Sequence, residues 1–258
     1  MIIDTHAHLT DEKYENIEEI ISAFPADNLS AVFCVGYDLE SSKASLSLAN
    51  KNKNIYAIIG FHPSDIRSMG EQELKWIEDH ASDEKVIGIG EIGLDYHFDD
   101  APSKKEQKAG FITQIRLADK VGLPIIVHER DAIEDVLKIL KDNKKYLNHG
   151  GIIHCFGHDF KSYKKFEKLG FMVSFGGVIT FKNAGVVPET AALVPLSNMV
   201  LETDCPYLAP VPFRGKLNQP KYVNIVAEKI AALKGISVEE VEKQTTKNAL
   251  NLFKKVSL

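Results

Sequence analysis

The sequence predicts a single (β/α)8 barrel, an α/β TIM barrel, over residues 1–258, with additional C-terminal helices packed on the outside. Eight short runs rich in valine, isoleucine and phenylalanine end at polar residues, as buried strands do. The stretches between them carry apolar residues at three- and four-residue spacing, as one-sided helices do. Apolar strands that alternate with helices form a parallel sheet buried on both faces, and eight repeats favour a closed barrel.

An open, doubly wound sheet is the alternative fold for such an alternation. That fold normally carries a glycine-rich phosphate-binding loop after its first strand. This chain has THAHLT at that position, which favours the barrel.

The predicted strands are spread along almost the whole chain. In order they are MIID (1–4), AVFCVG (31–36), IYAIIG (55–60), VIGIGEIG (86–93), PIIVHE (124–129), GIIHCF (151–156), FMVSFGG (171–177) and MVLETD (199–204). Helical periodicity is clearest in four of the intervening stretches, namely 41–52, 71–80, 104–120 and 131–143. Residues 220–258 then supply the terminal helices.

Local signals mark where some of the helices begin and end. Asp131 with Glu134, and Ser237 with Glu240, have the spacing of reciprocal capping pairs at helix starts. Glycines at positions 122, 170 and 235 stand where helices are expected to stop.

Composition narrows the classes of function. The chain is 44% hydrophobic and 26% charged, as in ordinary globular proteins, and no apolar run approaches the roughly 20 residues of a membrane span. The start lacks the basic and apolar regions of a signal peptide, and three cysteines without a C-x-x-C pair indicate neither a disulfide framework nor a zinc ribbon. We therefore expect a cytoplasmic protein without a membrane partner.

The charge balance bears on nucleic-acid binding. A net charge of −5 gives no global attraction to nucleic acid, so any such binding must be local. Arg130, Arg214 and Lys216 are candidates for it, although scattered basic residues more commonly belong to a solvated surface. Nothing in the sequence indicates an obligate protein partner.

Polar residues interrupt the predicted strands at or near their C-terminal ends, which form the functional face of a (β/α)8 barrel. They are His6, His8, His62, Glu91, His128, His154 and Asp204. Singly, each also fits an ordinary hydrogen-bonded polar residue. Together, so many imidazoles and carboxylates around one mouth would be costly to bury unless they were paired or bound to metal.

The number of candidate donors exceeds what one tetrahedral ion takes. A carboxylate can bridge two ions about 3.5–4 Å apart, and Glu91, central in strand order, is the natural bridge. We therefore predict two divalent metal ions per chain, with Mg, Mn, Zn and Ni left open.

The motifs DTHAHL, GFHP, GEIGLDY, VHER, HCF and ETDCPYL, in this order and spacing, resemble the TatD family of metal-dependent deoxyribonucleases within the amidohydrolase-like barrels. The resemblance spans essentially the whole chain. It implies one ion held by His6, His8, Glu91 and Asp204, and a second held by Glu91, His128 and His154. It also implies that His62 contacts the substrate phosphate and that the enzyme trims single-stranded DNA ends in the 3′-to-5′ direction.

The expected chemistry is phosphodiester hydrolysis of DNA by a metal-activated hydroxide at a two-metal site. Glu91 and Asp204 are the expected catalytic carboxylates, since Asp204 can orient the nucleophile or accept its proton. Glu202, two residues before Asp204 on the same strand face, is either a partner of the ligands or a buried structural acid.

The same residues are also compatible with rival functions. A carboxyl-ester hydrolase, such as a D-aminoacyl-tRNA deacylase, would be served equally well by the same metal chemistry. A barrel amidohydrolase is disfavoured, because many such enzymes bridge their ions with a strand-four lysine that this chain lacks. A non-catalytic scaffold on the same barrel predicts lost ligands, and none is lost.

The other histidines and two cysteines are expected to do less. We expect His80 and His149 to lie on the surface at the opposite end of the barrel, and His97 and His158 to lie in loops above the mouth. Cys155 and Cys205 each follow a candidate ligand, so regular alternation places them on the opposite strand face as small buried residues.

Overall fold

The computed structural model describes residues 1–258 and contains one eight-stranded sheet. All neighbouring strands are parallel and follow chain order from first to last. The strands are β1 Ile2–Ala7, β2 Leu29–Val35, β3 Ile55–Ile59, β4 Val86–Asp95, β5 Ile125–Arg130, β6 Gly151–Ile153, β7 Phe171–Phe175 and β8 Met199–Leu201.

The sheet closes on itself through the residues that follow β8. Ala7 forms a parallel bridge with Cys205, and His8 N donates to the carbonyl oxygen of Cys205 at 2.7 Å. Asp204 N donates to the carbonyl oxygen of His6 at 2.9 Å. The predicted (β/α)8 barrel is therefore confirmed.

Nine α-helices lie along the chain. They are α1 Ile17–Ser22, α2 Leu39–Lys51, α3 Glu71–His80, α4 Lys104–Val121, α5 Ile133–Asp142, α6 Phe160–Glu167, α7 Val187–Leu193, α8 Val223–Lys234 and α9 Val238–Leu252. None of them is both long and apolar enough to cross a lipid bilayer.

The buried apolar residues form two layers. A large cluster fills the space between the sheet and the surrounding helices, and a smaller one fills the barrel interior. The interior cluster includes Ile3, Ile126 and Val200 from the strands, together with Ala249 and Phe253 from the C-terminal segment. Both C-terminal helices were predicted to pack on the outside of the barrel. Only α8 packs wholly in the outer layer, because the last turn of α9 contributes to the barrel interior.

One of the local helix signals behaves differently from the others. Gly122 and Gly235 end α4 and α8 in left-handed conformation, and the Ser237 side chain accepts from Glu240 N at the start of α9. The predicted capping pair of Asp131 and Glu134 is wrong, because no side chain of the N-cap residue caps α5 and Asp131 instead contacts His97. Glu129 accepts from Ala132 N at 2.8 Å there, so a longer side chain one turn earlier satisfies the helix start.

Candidate metal centre

The predicted site residues converge on the C-terminal mouth of the barrel. They surround a cavity of about 330 Å³ lined by His8, Tyr37, His62, Ser64, Asp65, Glu91, His128, His154, Asp204 and Tyr207. His6 lies directly beneath this lining, fully buried against Glu91. The predicted residues thus come from six different strands or strand ends and meet at one place.

Irregular pairing in the sheet aims two of the key segments inward. Ile3 faces the interior, so regular alternation would send His6 outward, but the register of β1 against β2 shifts between Asp4 and Ala7. Similarly, Ile89 faces the outer layer, and a register shift between Ile89 and Ile92 turns Glu91 inward. Such bulges re-aim side chains beside active sites in many proteins.

Four donor atoms form a first group. The Nε2 atoms of His6 and His8 lie 3.3 Å apart, and Oε2 of Glu91 lies 3.4 and 3.7 Å from them, respectively. Oδ1 of Asp204 lies 3.7 Å from His6 Nε2 and 3.5 Å from His8 Nε2. Donors about 2.0–2.1 Å from a tetrahedral ion are roughly 3.3–3.4 Å from one another, so this group has the spacing of a metal site.

The other oxygen of Glu91 faces a second group. Oε1 lies 2.7 Å from Nδ1 of His128 and 3.0 Å from Nε2 of His154. Nε2 of His62 lies 4.0 Å from the same oxygen, so His62 stands at the edge of this group. Glu91 therefore presents one carboxylate oxygen to each set of nitrogens.

The opposite ring nitrogens of three histidines have acceptors behind them. Nδ1 of His8 bonds to the carbonyl oxygen of Val35 at 3.0 Å, and Nε2 of His128 bonds to Oδ2 of Asp95 at 3.1 Å. Nδ1 of His154 lies 3.3 Å from Oε1 of Glu202, although the two are not aligned as a hydrogen bond. Acceptors of this kind fix the ring orientation and raise the basicity of metal-binding histidines.

Glu202 occupies the position that the sequence left open between two roles. Its Oε1 accepts from Cys155 N at 2.7 Å and its Oε2 accepts from Ser174 Oγ at 2.6 Å. It is thus held by the neighbouring strands while it also faces His154.

Asp95 was not singled out from the sequence. It ends β4, which is longer than predicted, and its backbone N–H and carbonyl are both held by the Gln107 side chain at 2.8 Å. The available signal was its place four residues after Glu91 within GEIGLDY. Tyr37, Ser64, Asp65 and Tyr207 also line the cavity without having been anticipated.

The charges of the site favour positive charge at its centre. Burial opposes the ionisation of Glu91, but the charges of His154 and His6 and the hydrogen bond from His128 hold the pKa of this carboxyl well below its usual value. Burial likewise opposes protonation of His154, yet the charges of Glu91 and Glu202 raise its pKa well above the ordinary value. The negative charges that raise the pKa of His154 would also favour a bound cation.

His62 differs from the other imidazoles at the mouth. Its Nδ1 accepts from Ser64 N at 3.1 Å, so the ring proton lies on Nε2, which faces the cavity. Burial and the nearby charge of His128 lower the pKa of His62 to about 3. His62 is therefore a neutral hydrogen-bond donor.

The remaining histidines lie where they were expected. His80 ends α3 against Trp76 and His149 precedes β6, both away from the mouth. His97 contacts Asp131 and His158 contacts Glu129 in the loops above it.

The two cysteines differ from each other. Cys205 is buried in the outer layer as predicted, and burial raises its pKa well above the usual value. Cys155 is only partly buried, and strand alternation does not apply to it, because β6 ends at Ile153 and Cys155 has a φ of 46°.

Comparison with known proteins identifies the family. Residues 3–254 match the family described as TatD related DNase. The chain is 45% identical over 255 residues to a Bacillus subtilis (strain 168) protein named "Uncharacterized metal-dependent hydrolase YabD", covering 98% of this chain and 99% of that protein. It is 36% identical over 256 residues to the similarly named YcfH of Escherichia coli (strain K12), covering 98% and 95%.

A solved structure agrees with the sequence relatives. The crystal structure of YjjV, a TatD homolog from Escherichia coli K12, superimposes with a TM-score of 0.92 at 27% identity and covers 98% of both chains. With candidate metal-binding groups at the mouth of a parallel barrel, the chain therefore belongs to the TatD-related DNase family of metal-dependent hydrolases.

Proposed function

We propose that this protein hydrolyses phosphodiester bonds of DNA, trimming single-stranded ends in the 3′-to-5′ direction at a centre of two divalent ions. One observation carries the proposal: the two oxygens of Glu91 face two separate groups of nitrogen donors, 2.7–3.0 Å away on one side and 3.4–3.7 Å away on the other. The family description as a DNase supports the choice of DNA.

The donors divide between the ions as follows. His6, His8, Asp204 and Oε2 of Glu91 would hold one ion, and His128, His154 and Oε1 of Glu91 the other. When bound, such ions lower the pKa of water and neutralise charge on a phosphate. Asp95 and Glu202 keep the rings of His128 and His154 oriented from behind.

The side chains then have distinct tasks toward the substrate. Asp204, whose pKa is lowered mainly by the hydrogen bond from His8 against the effect of burial, is a carboxylate able to accept a proton from the attacking water. His62, neutral with its proton on Nε2, donates a hydrogen bond to a non-bridging phosphate oxygen.

The shape of the mouth supports action at a strand end. The barrel beneath the metal donors is filled by the interior cluster, so the cavity is a shallow depression rather than a channel. With a net charge of −5, the chain has no basic excess to wrap a duplex.

The test uses metal-stripped protein reloaded with Mg, Mn, Zn or Ni. It is offered end-labelled linear single strands, covalently closed single-stranded circles, duplex DNA and an aminoacyl-tRNA. Mononucleotide products from linear strands, lost on chelation and restored on reloading, are expected. Rapid linearisation of the circle would contradict end trimming, and release of the amino acid without any DNA cleavage would replace the proposal with ester hydrolysis.

A pair of histidine variants separates substrate contact from metal binding. His62→Ala is expected to keep both ions and to lower kcat/KM through poorer phosphate positioning. His149→Ala, an exposed histidine at the opposite end of the barrel, is the matched control. Loss of one equivalent of metal in His62→Ala would assign His62 to the ligands instead.

A further inference from the structure

An unpaired arginine lies on the rim of the mouth, beyond the metal donors. Arg130 is the last residue of β5 and, by strand alternation, shares the face of His128. Two residues of strand separate them by roughly 6–7 Å. The carboxylates around it are each engaged with a histidine instead: Asp95 with His128, Asp131 with His97, and Glu129 with His158.

An exposed aromatic ring accompanies this arginine. Phe98, in the loop after β4, is 51% exposed, and its ring centre lies 5.1 Å from the guanidinium carbon of Arg130. The ring of His97 stands edge-on to the ring of Phe98, with the two ring centres 5.0 Å apart. Proteins that hold single strands combine cationic side chains with aromatic rings on which bases stack, and here such a pair lies two residues along β5 from His128.

The segments that carry the two residues are held from both sides. Tyr96 N donates to the carbonyl oxygen of Arg130 at 2.9 Å, and His97 contacts Asp131 at 3.0 Å. On the other side His158 contacts Glu129, which also receives the N–H of Ala132. Arg130 and Phe98 therefore project from a braced rim, and little ordering is required when a ligand binds.

We propose that Phe98 and Arg130 form a subsite, here called the rim subsite, for the nucleotide adjacent to the scissile bond. Arg130 binds the phosphate of that nucleotide and Phe98 stacks on its base. Stacking needs a base whose face is free, so the rim subsite selects single strands over duplexes. This inference rests on the proposed function, because it assumes that the metal centre acts on a nucleic-acid strand.

Equilibrium binding tests the rim subsite without requiring activity. Fluorescence anisotropy is measured with a labelled oligo-dT and with an abasic oligonucleotide of the same length, using metal-free Phe98→Leu, Arg130→Gln and wild-type protein. Phe98→Leu is expected to weaken oligo-dT binding by about 5- to 150-fold and to leave abasic binding unchanged. Arg130→Gln is expected to lower the slope of log K against log salt concentration by about 0.7, as loss of one single-strand phosphate contact does.

The chain provides a matched control for the arginine. Arg116 lies 5.6 Å above the ring of Tyr146 on the outer wall of the barrel, in the same kind of cation–aromatic pair. Arg116→Gln should change neither the affinity nor the salt slope. Equal losses on oligo-dT and abasic strands in Phe98→Leu, or an unchanged salt slope in Arg130→Gln, would overturn the rim subsite.

Hydrolysis distinguishes failure of the rim subsite from failure of the proposed function. The ratio of kcat/KM on oligo-dT to kcat/KM on bis(p-nitrophenyl) phosphate should fall in both rim variants, because the small diester has no adjacent nucleotide. Cleavage of both substrates with an unchanged ratio refutes the rim subsite alone. Absence of cleavage under every metal, with variant-sensitive binding retained, refutes the proposed function and leaves Phe98 and Arg130 as a strand-binding surface without a scissile bond.

Discussion

The replacement of Asp95 by asparagine tests whether the acceptor behind His128 matters to the metal centre. Asp95 is buried, and its two carboxylate oxygens receive two donors: Nε2 of His128 at 3.1 Å and the backbone N–H of His97 at 2.9 Å. Asparagine has one acceptor oxygen in place of two, so either orientation of the amide leaves one donor unsatisfied. Both orientations also remove the negative charge beside His128.

The size of the effect follows from these contacts. An unsatisfied buried donor costs about 1–3 kcal/mol, and loss of the partner behind a metal-binding histidine costs about 10- to 100-fold in metal affinity or activity. We therefore expect Asp95→Asn to weaken binding of the ion on the His128 side by about 10- to 100-fold. The ion held by His6 and His8 should bind as in the wild type.

Calorimetric titration of the metal-free protein with Zn or Mn measures the two sites separately. Asp131→Asn is the matched control, because Asp131 contacts His97 at 3.0 Å but His97 lies outside the donor groups. Wild-type affinity at both sites in a folded Asp95→Asn protein would refute the reasoning. So would an equal loss in Asp131→Asn.

Three further predictions concern the bridging role of Glu91, the charge of Asp65 and the packing of the barrel interior. Glu91→Gln removes the only carboxylate that faces both donor groups. At least one ion should therefore bind far more weakly, and turnover should fall by orders of magnitude in a folded protein. Two tightly bound ions with near-normal turnover would exclude a bridging role for Glu91. Burial and the charge of Asp38 raise the pKa of Asp65 to about 6. Ionised Asp65 therefore lowers the stability of the folded protein, and this loss develops as the pH rises from the pKa of the unfolded carboxyl toward 6. Asp65→Asn should raise the melting temperature at about pH 7.5 but not below about pH 4. A difference in melting temperature that does not depend on pH would contradict this. Phe253→Ala removes a fully buried ring whose centre lies 4.8 Å from that of Phe33. The free energy of unfolding measured in urea should fall by about 3–5 kcal/mol. A loss under about 1 kcal/mol would mean that the packing of the interior does not depend on this ring.

The sequence was sufficient to predict the barrel and to select the polar residues that the structure brings together at its mouth. The strand and helix patterns are local, and the polar residues that interrupt them stand out against apolar neighbours, so His6, His8, Glu91, His128, His154 and Asp204 could be selected without coordinates. Parallel strands bring their C-terminal ends together, which is why residues almost 200 positions apart were expected at one mouth. Their assignment to particular ions remains a proposal.

Tertiary structure decided the orientation of these side chains. Regular alternation from Ile3 and from Ile89 would point His6 and Glu91 away from the mouth, and shifts in strand register reverse this. A register shift depends on the neighbouring strand, so no local pattern within β1 or β4 reveals it.

The contacts behind the histidines also required the folded chain. Asp95 at the end of β4 contacts His128 in the neighbouring strand β5. Glu202, which follows β8, contacts Ser174 and lies against His154. Similarly, Asp131 was expected to cap α5 but pairs with His97 because the loop after β4 lies over it. Periodicity and capping are set by residues within one helical turn or one strand, whereas the partner of a buried polar group is set by whichever segment packs against it. For this reason the sequence alone supplied the candidate donors but not the contacts that orient them.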